Sequence, residues 1–130
     1  MKSLKVLFVI FTLLFFSCQN EDSDDDLITQ PVTYKLISFT FTPQTDDQEE
    51  SLSYEIEFFN SNNFEVKGIP QITTTVGGGT TVTGAPNSQC RVIPANSSCI
   101  LSYSVVDDNP LLFPVAPIEF VKADYFLIEE

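Results

Sequence analysis

The 130-residue chain contains no histidine and no tryptophan, one methionine, and only six Lys and Arg against 18 Asp and Glu. Without histidine it lacks the side chain most used for proton transfer near neutral pH and the commonest ligand of transition metals. A formal charge of −12 repels a phosphate backbone, so nucleic acid is excluded as an expected partner. No apolar run reaches the roughly 20 residues of a membrane-crossing helix. Three cysteines are too few for a zinc centre once one of them has another task. No cofactor is expected. The length sets one core as the ceiling, because a domain needs about 100 to 150 residues to enclose one.

What is present begins with a leader. Lys2 and Lys5 precede the eleven apolar-rich residues 6–16 (VLFVIFTLLFF), a positive end followed by a core of signal-peptide length. Phe15-Phe16-Ser17-Cys18 then resembles the lipobox of bacterial lipoproteins, in which a small residue precedes the cysteine that receives diacylglycerol before cleavage. The resemblance implies lipid attachment at Cys18 and removal of residues 1–17, with the membrane as partner through that anchor. Each buried CH₂ contributes about 0.8 kcal/mol, so several acyl chains make release negligible. Cleavage also removes Lys2 and Lys5, which takes the charge from −12 to −14 over the remaining 113 residues.

Residues 18–30 carry Glu21, Asp22, Asp24, Asp25 and Asp26. Like charge at this density repels itself and cannot form a core, which predicts a disordered tether. An acidic tract just behind a lipidated cysteine is also similar to the signal that routes some Gram-negative lipoproteins to the outside of the outer membrane. The expected location is therefore an outer-membrane lipid anchor on the extracellular face.

Residues 31–130 read as all-β. In residues 52–58 (LSYEIEF) Leu52, Tyr54, Ile56 and Phe58 alternate with Ser53, Glu55 and Glu57, the pattern of a half-buried strand. Further strands are expected at 32–41, 69–76, 80–83, 99–106 and 118–128, with a hairpin turn at Gly77, Gly78 and Gly79. A phosphate loop at those glycines is disfavoured, because no helix pattern and no Lys-Ser or Lys-Thr pair comes after them. Six or seven short strands about ten residues apart, with no helix between them, predict an antiparallel Ig-like β-sandwich of about seven strands. Of the twelve Phe and four Tyr in the whole chain, many stand at inward positions and are expected to fill the space between its two sheets.

With Cys18 lipidated in an exported chain, Cys90 and Cys99 remain as disulfide partners. The competing metal reading lacks a third thiol or a histidine. Residues 90–103 (CRVIPANSSCILSY) resemble the cysteine-bracketed turn of bacterial Ig-like repeats related to ASH and choice-of-anchor domains. Residues 56–64 (IEFFNSNNF) are similar to the strand-to-Asn turn upstream in that family, although Asn96 stands where the family prefers Gly. The resemblance implies a sandwich used for adhesion, spacing or assembly, with no catalytic residue to carry over.

The functional expectation is a non-enzymatic, lipid-anchored module that binds or spaces an unidentified surface protein or glycan. Its binding surface is expected on a sheet face or on the loops at residues 77–79 and 107–109. A second reading is a carbohydrate- or calcium-dependent module, with oxygen ligands from Asp46, Asp47, Glu49 and Glu50, or from Asp107, Asp108 and Asn109. A third is a small hydrolase using Glu55 and Glu57 as paired carboxylates, set against their simpler role on a solvated outer face.

Overall fold

Alternation decides the first sheet. The computed structural model describes residues 29–107 and 116–128; Cys18, the acidic tract up to residue 28, and Asp108 and Asn109 lie outside the described residues. The strands are β1 (Thr33–Thr42), β2 (Glu50–Asn60), β3 (Val66–Val76), β4 (Gly79–Gly84), β5 (Val92–Ile93), β6 (Ser97–Asp107) and β7 (Ile118–Leu127). Among the described residues there is no α-helix, and a 3-10 turn at Gln89–Arg91 precedes β5. Every strand pairing is antiparallel.

The first sheet has the order β1-β2-β6. Its central strand turns Tyr54, Ile56 and Phe58 inward to burial and Glu55 outward, as period two demands. The second sheet is built on β3, which takes β7 along Gly68 to Val76, β4 along Gln71 to Val76, and β5 at Val66 and Lys67. In both sheets the order follows the Ig sandwich: β1, β2 and β6 stand as its A, B and E, and β3 and β7 as its C and F.

Both sheets bend at a single inserted residue. Ile37 bulges from β1 and Val121 from β7. Each insertion swaps the faces to which the later residues of its strand point, and it sharpens the twist. Pro70 sits inside the central strand β3, where a missing N–H should break the ladder. It is tolerated because it lies beyond the β3 residues that β4 pairs: the β4 ladder starts at Gln71↔Gly84, and the Pro70 carbonyl accepts from Ala85 N at 2.9 Å.

The core lies toward the end where residues 29–31 join β1. Ile56, Phe58, Cys90 and Ile93 are each at 0 % exposure. Burying a side chain of this size contributes about 1.5–3 kcal/mol. At the other end the filling is aromatic: Tyr54 stacks on Phe39 at 6.2 Å and on Tyr103 at 5.0 Å, and Phe39 meets Phe120 at 5.8 Å. The expectation that the aromatics fill the core holds for Tyr54 and Phe58 and, in part, for Phe39 and Phe120. Phe59 and Phe126 instead face solvent, at 43 % and 61 % exposure.

Candidate functional site

Three arrangements concentrate the polar chemistry of the described residues. The first is the crossover from β4 to β6. Cys90 on the 3-10 turn and Cys99 on β6 form a disulfide, with Cα atoms 5.5 Å apart. Beside it, Gln89 Nε2 donates to Ile100 O at 2.6 Å and covers the outer edge of β6. From the opposite sheet, the Tyr125 hydroxyl shares its proton between Cys90 O at 3.0 Å and Arg91 O at 2.9 Å. Burial pushes the Tyr125 hydroxyl up to about 12, against a partial opposing pull from Arg91. The ring lies across Gly68, where a Cβ would collide with a Tyr125 ring carbon and come within 2.5 Å of Phe126 O. Only glycine fits there.

The second arrangement fixes the incoming chain. Asn60, at 0 % exposure, donates through Nδ2 to Phe64 O at 2.8 Å, Ile93 O at 3.1 Å and Pro94 O at 3.0 Å. Its Oδ1 accepts from Asn62 N at 2.9 Å and Asn62 Nδ2 at 2.8 Å. Asn62 in turn clasps Gln30, accepting from its N at 2.6 Å and donating to its O at 2.9 Å. The Asn62 carbonyl accepts from Asn96 N at 2.9 Å, in the turn where Asn96 takes φ 50° in the left-handed region that asparagine tolerates. Two neighbouring asparagines thus hold the start of β1, the β2–β3 turn and the β5–β6 turn together.

The third is the outward face of β1-β2-β6. The register places Thr40, Ser53 and Ser104 in one cross-strand row and Ser38, Glu55 and Ser102 in the next. Ser53 and Ser104 of the first row and all three residues of the second line a shallow depression of about 450 Å³, and Glu55 is exposed there. Glu57 belongs to a row with Lys35 and Ile100, and it accepts from Ser98 Oγ at 2.7 Å. Hydroxyls donate and accept in any direction, and a carboxylate only accepts, so the face matches a ligand rich in hydroxyl groups. Glu55 and Glu57 share it as expected, on an open surface and not in a cleft.

The loops fall at one end. Gly77 and Gly78, with φ 57° and 86°, form the β3–β4 turn, in which positive φ at both central residues matches the twist of the strands. Gly79 belongs to β4 and not to the turn. At the same end, Asp46 and Asp47 form a turn closed by Thr45 N to Gln48 O at 2.9 Å, and β6 leaves at Asp107. Among the described residues no group of three or more His, Cys, Asp or Glu side chains converges.

No family model matches the chain, and no curated protein matches it. It is similar to one solved structure, the X-ray structure of Northeast Structural Genomics Consortium target SoR45, at 15 % identity and a TM-score of 0.44, over 74 % of this chain and 86 % of that one.

Proposed function

We propose that this chain is a lipid-anchored, non-enzymatic module that binds or spaces another component on the outer face of a Gram-negative outer membrane. The lipobox-like Cys18, the acidic tract behind it and the ASH-like cysteine turn support the reading. One structural observation carries it. The chain comes in at Gln30, clasped by Asn62, whereas the turns at Gly77-Gly78 and Asp46-Asp47 and the departure at Asp107 stand at the far end of the strands. Strands of ten or eleven residues separate these ends by about 30 Å at 3.3 Å per residue. A tether on one end presents the other to the surroundings.

Mass spectrometry of the membrane-extracted protein tests the anchor, together with a Cys18→Ala variant. Acyl mass on the processed amino terminus and release of the variant from membranes are the expected results. An unacylated terminus, with the unsubstituted protein soluble in the periplasm, would sink the proposal. Protease added to intact cells tests the orientation, and degradation is expected.

A second reading is favoured by the hydroxyl rows around Glu55: the outward face of the first sheet takes a polyhydroxylated ligand, a glycan chain. Titration with soluble oligosaccharides, observed by NMR, should move the amides of Ser53, Glu55 and Ser102. Shifts confined to other regions remove this reading, and a melting temperature raised by calcium would favour the calcium-dependent form instead.

A further inference from the structure

The outward face of β1-β2-β6 changes character along β2. Beyond the hydroxyl rows around Glu55, the register sets Lys35, Glu57 and Ile100 in one row and Thr33, Phe59 and Ser98 in the next. Phe58 turns inward to full burial, so Phe59 beside it turns outward, where it is 43 % exposed. Ile100, one row away on β6, is exposed to the same extent. The other outward residues of β2, which are Ser51, Ser53, Glu55 and Glu57, are all polar. An apolar step thus adjoins a polar floor on one continuous face.

A sugar ring has two kinds of surface that match these two. Its rim carries hydroxyls, which pair with serine hydroxyls and with carboxylates. Its faces carry C–H groups, apolar and slightly positive, which settle on the negative face of an aromatic ring. Phe59 lies four residues from Glu55 and six from Ser53 along β2, about 13 Å and 20 Å at 3.3 Å per residue. A single ring cannot touch both ends, whereas several linked rings lying along the strand can. Between the ends, Glu57 accepts from Ser98 Oγ at 2.7 Å, and Glu55 stands exposed in the depression beyond.

Charge narrows the choice of glycan. The face carries Glu55 and Glu57 against Lys35 alone, in a chain of formal charge −12. Uronic-acid and sulfated glycans add further negative charge and are repelled. Neutral sugars meet the same carboxylates as hydrogen-bond acceptors only.

Resting on the glycan reading of this face, we infer that its ligand is a neutral chain of several linked sugars laid along β2. One ring stacks on Phe59 beside Ile100, and the rings that follow bond to Glu55 and the serine rows.

Titration of the full-length chain with defined sugars tests this. The probes are cellotetraose, mannotetraose, xylotetraose and maltotetraose, the matching disaccharides, and the anionic tetragalacturonate. At least one neutral tetrasaccharide should move the amides of Phe59, Glu55 and Ser53 together in NMR spectra. It should bind well above its own disaccharide and above tetragalacturonate. Phe59→Ala should weaken that binding by roughly tenfold, Phe59→Leu, apolar but without a ring, nearly as much, and Phe59→Tyr hardly at all. The side chain faces solvent, so each variant should fold, and its melting temperature checks this. The inference is overturned, with the glycan reading left standing, if Ser53, Glu55 and Ser102 still shift while Phe59→Ala and Phe59→Leu bind as the unsubstituted chain does. The same holds if a disaccharide or tetragalacturonate binds as tightly as the neutral tetrasaccharide. If no probe moves any of these amides, both fall.

Discussion

The two ends of the sandwich are built differently. At the upper end, where Gln30 comes in, buried amides, a disulfide and a tyrosine hydroxyl join the two sheets around a dry core of Ile56, Phe58 and Ile93. At the lower end, stacked rings fill the space, and Tyr103, Val105 and Val106 remain 42–56 % exposed. Specific bonds hold the first end, and adaptable aromatic contacts hold the second. The difference teaches where sequence can change without loss of the fold: at the loops of the lower end, which the proposed function turns outward.

The sharpest way to break the contrast is to hollow out the upper core. Phe58→Ala should lower unfolding stability by about 3–5 kcal/mol, measured by denaturant titration. A loss under about 1 kcal/mol would mean that the upper end is not the stability centre. Replacing Cys90 and Cys99 together by Ser opens a loop of sequence separation 9 and should cost about 2.7 kcal/mol on chain entropy, read as a drop in melting temperature. At the lower end, Tyr103→Ala removes an exposed ring stacked on Tyr54 and should cost only about 1 kcal/mol. A penalty as large as that of Phe58→Ala would erase the distinction.

The smallest effect is a pH dependence at the upper end. Tyr125 is held up at about 12 from 10.0, so the folded state keeps a proton that the unfolded chain gives up first. Its contribution is fully present below pH 10 and is lost as pH rises toward 12. Tyr54, raised by burial and by neighbouring Tyr103, acts in the same direction. Tyr125→Phe should therefore flatten, without abolishing, the fall in melting temperature across that window. An unchanged slope would show that the hydroxyl contributes nothing there.

Much of the fold is legible in the residues because period two is a property of the residues themselves. The alternation in residues 52–58 identifies β2, its inward residues and the exposed Glu55, though the ladder with the eleven residues of β6 extends it to Glu50–Asn60. The Cys90–Cys99 pair is legible from the expectation of export, which leaves two cysteines once Cys18 is set aside, and the folded chain joins them. What escapes depends on partners far away in the chain. β5 has two residues, too few for any periodicity, and exists only because Val66 and Lys67 lie beside it. Asn60 and Asn62 read as a turn, since nothing local reveals that their amides meet Gln30 and Ile93. Gly68 lies just outside the strand expected at 69–76 and gives no signal of its own, and only the folded chain lays Tyr125 across it. The polar face around Glu55 can be read as solvated, but its rows of serines arise from a register that three separate strands set together.

The clasp on Gln30 has a mechanical side. A pull on the chain there acts along the axis of β1, and β1 is joined to β2 by nine residue pairs from Thr33 to Thr42. If the chain is anchored as proposed, tension between residues 29–31 and a load at the β3–β4 turn strains those pairs in shear, all together, instead of peeling them apart one after another. Under such a pull the sandwich would yield late and abruptly.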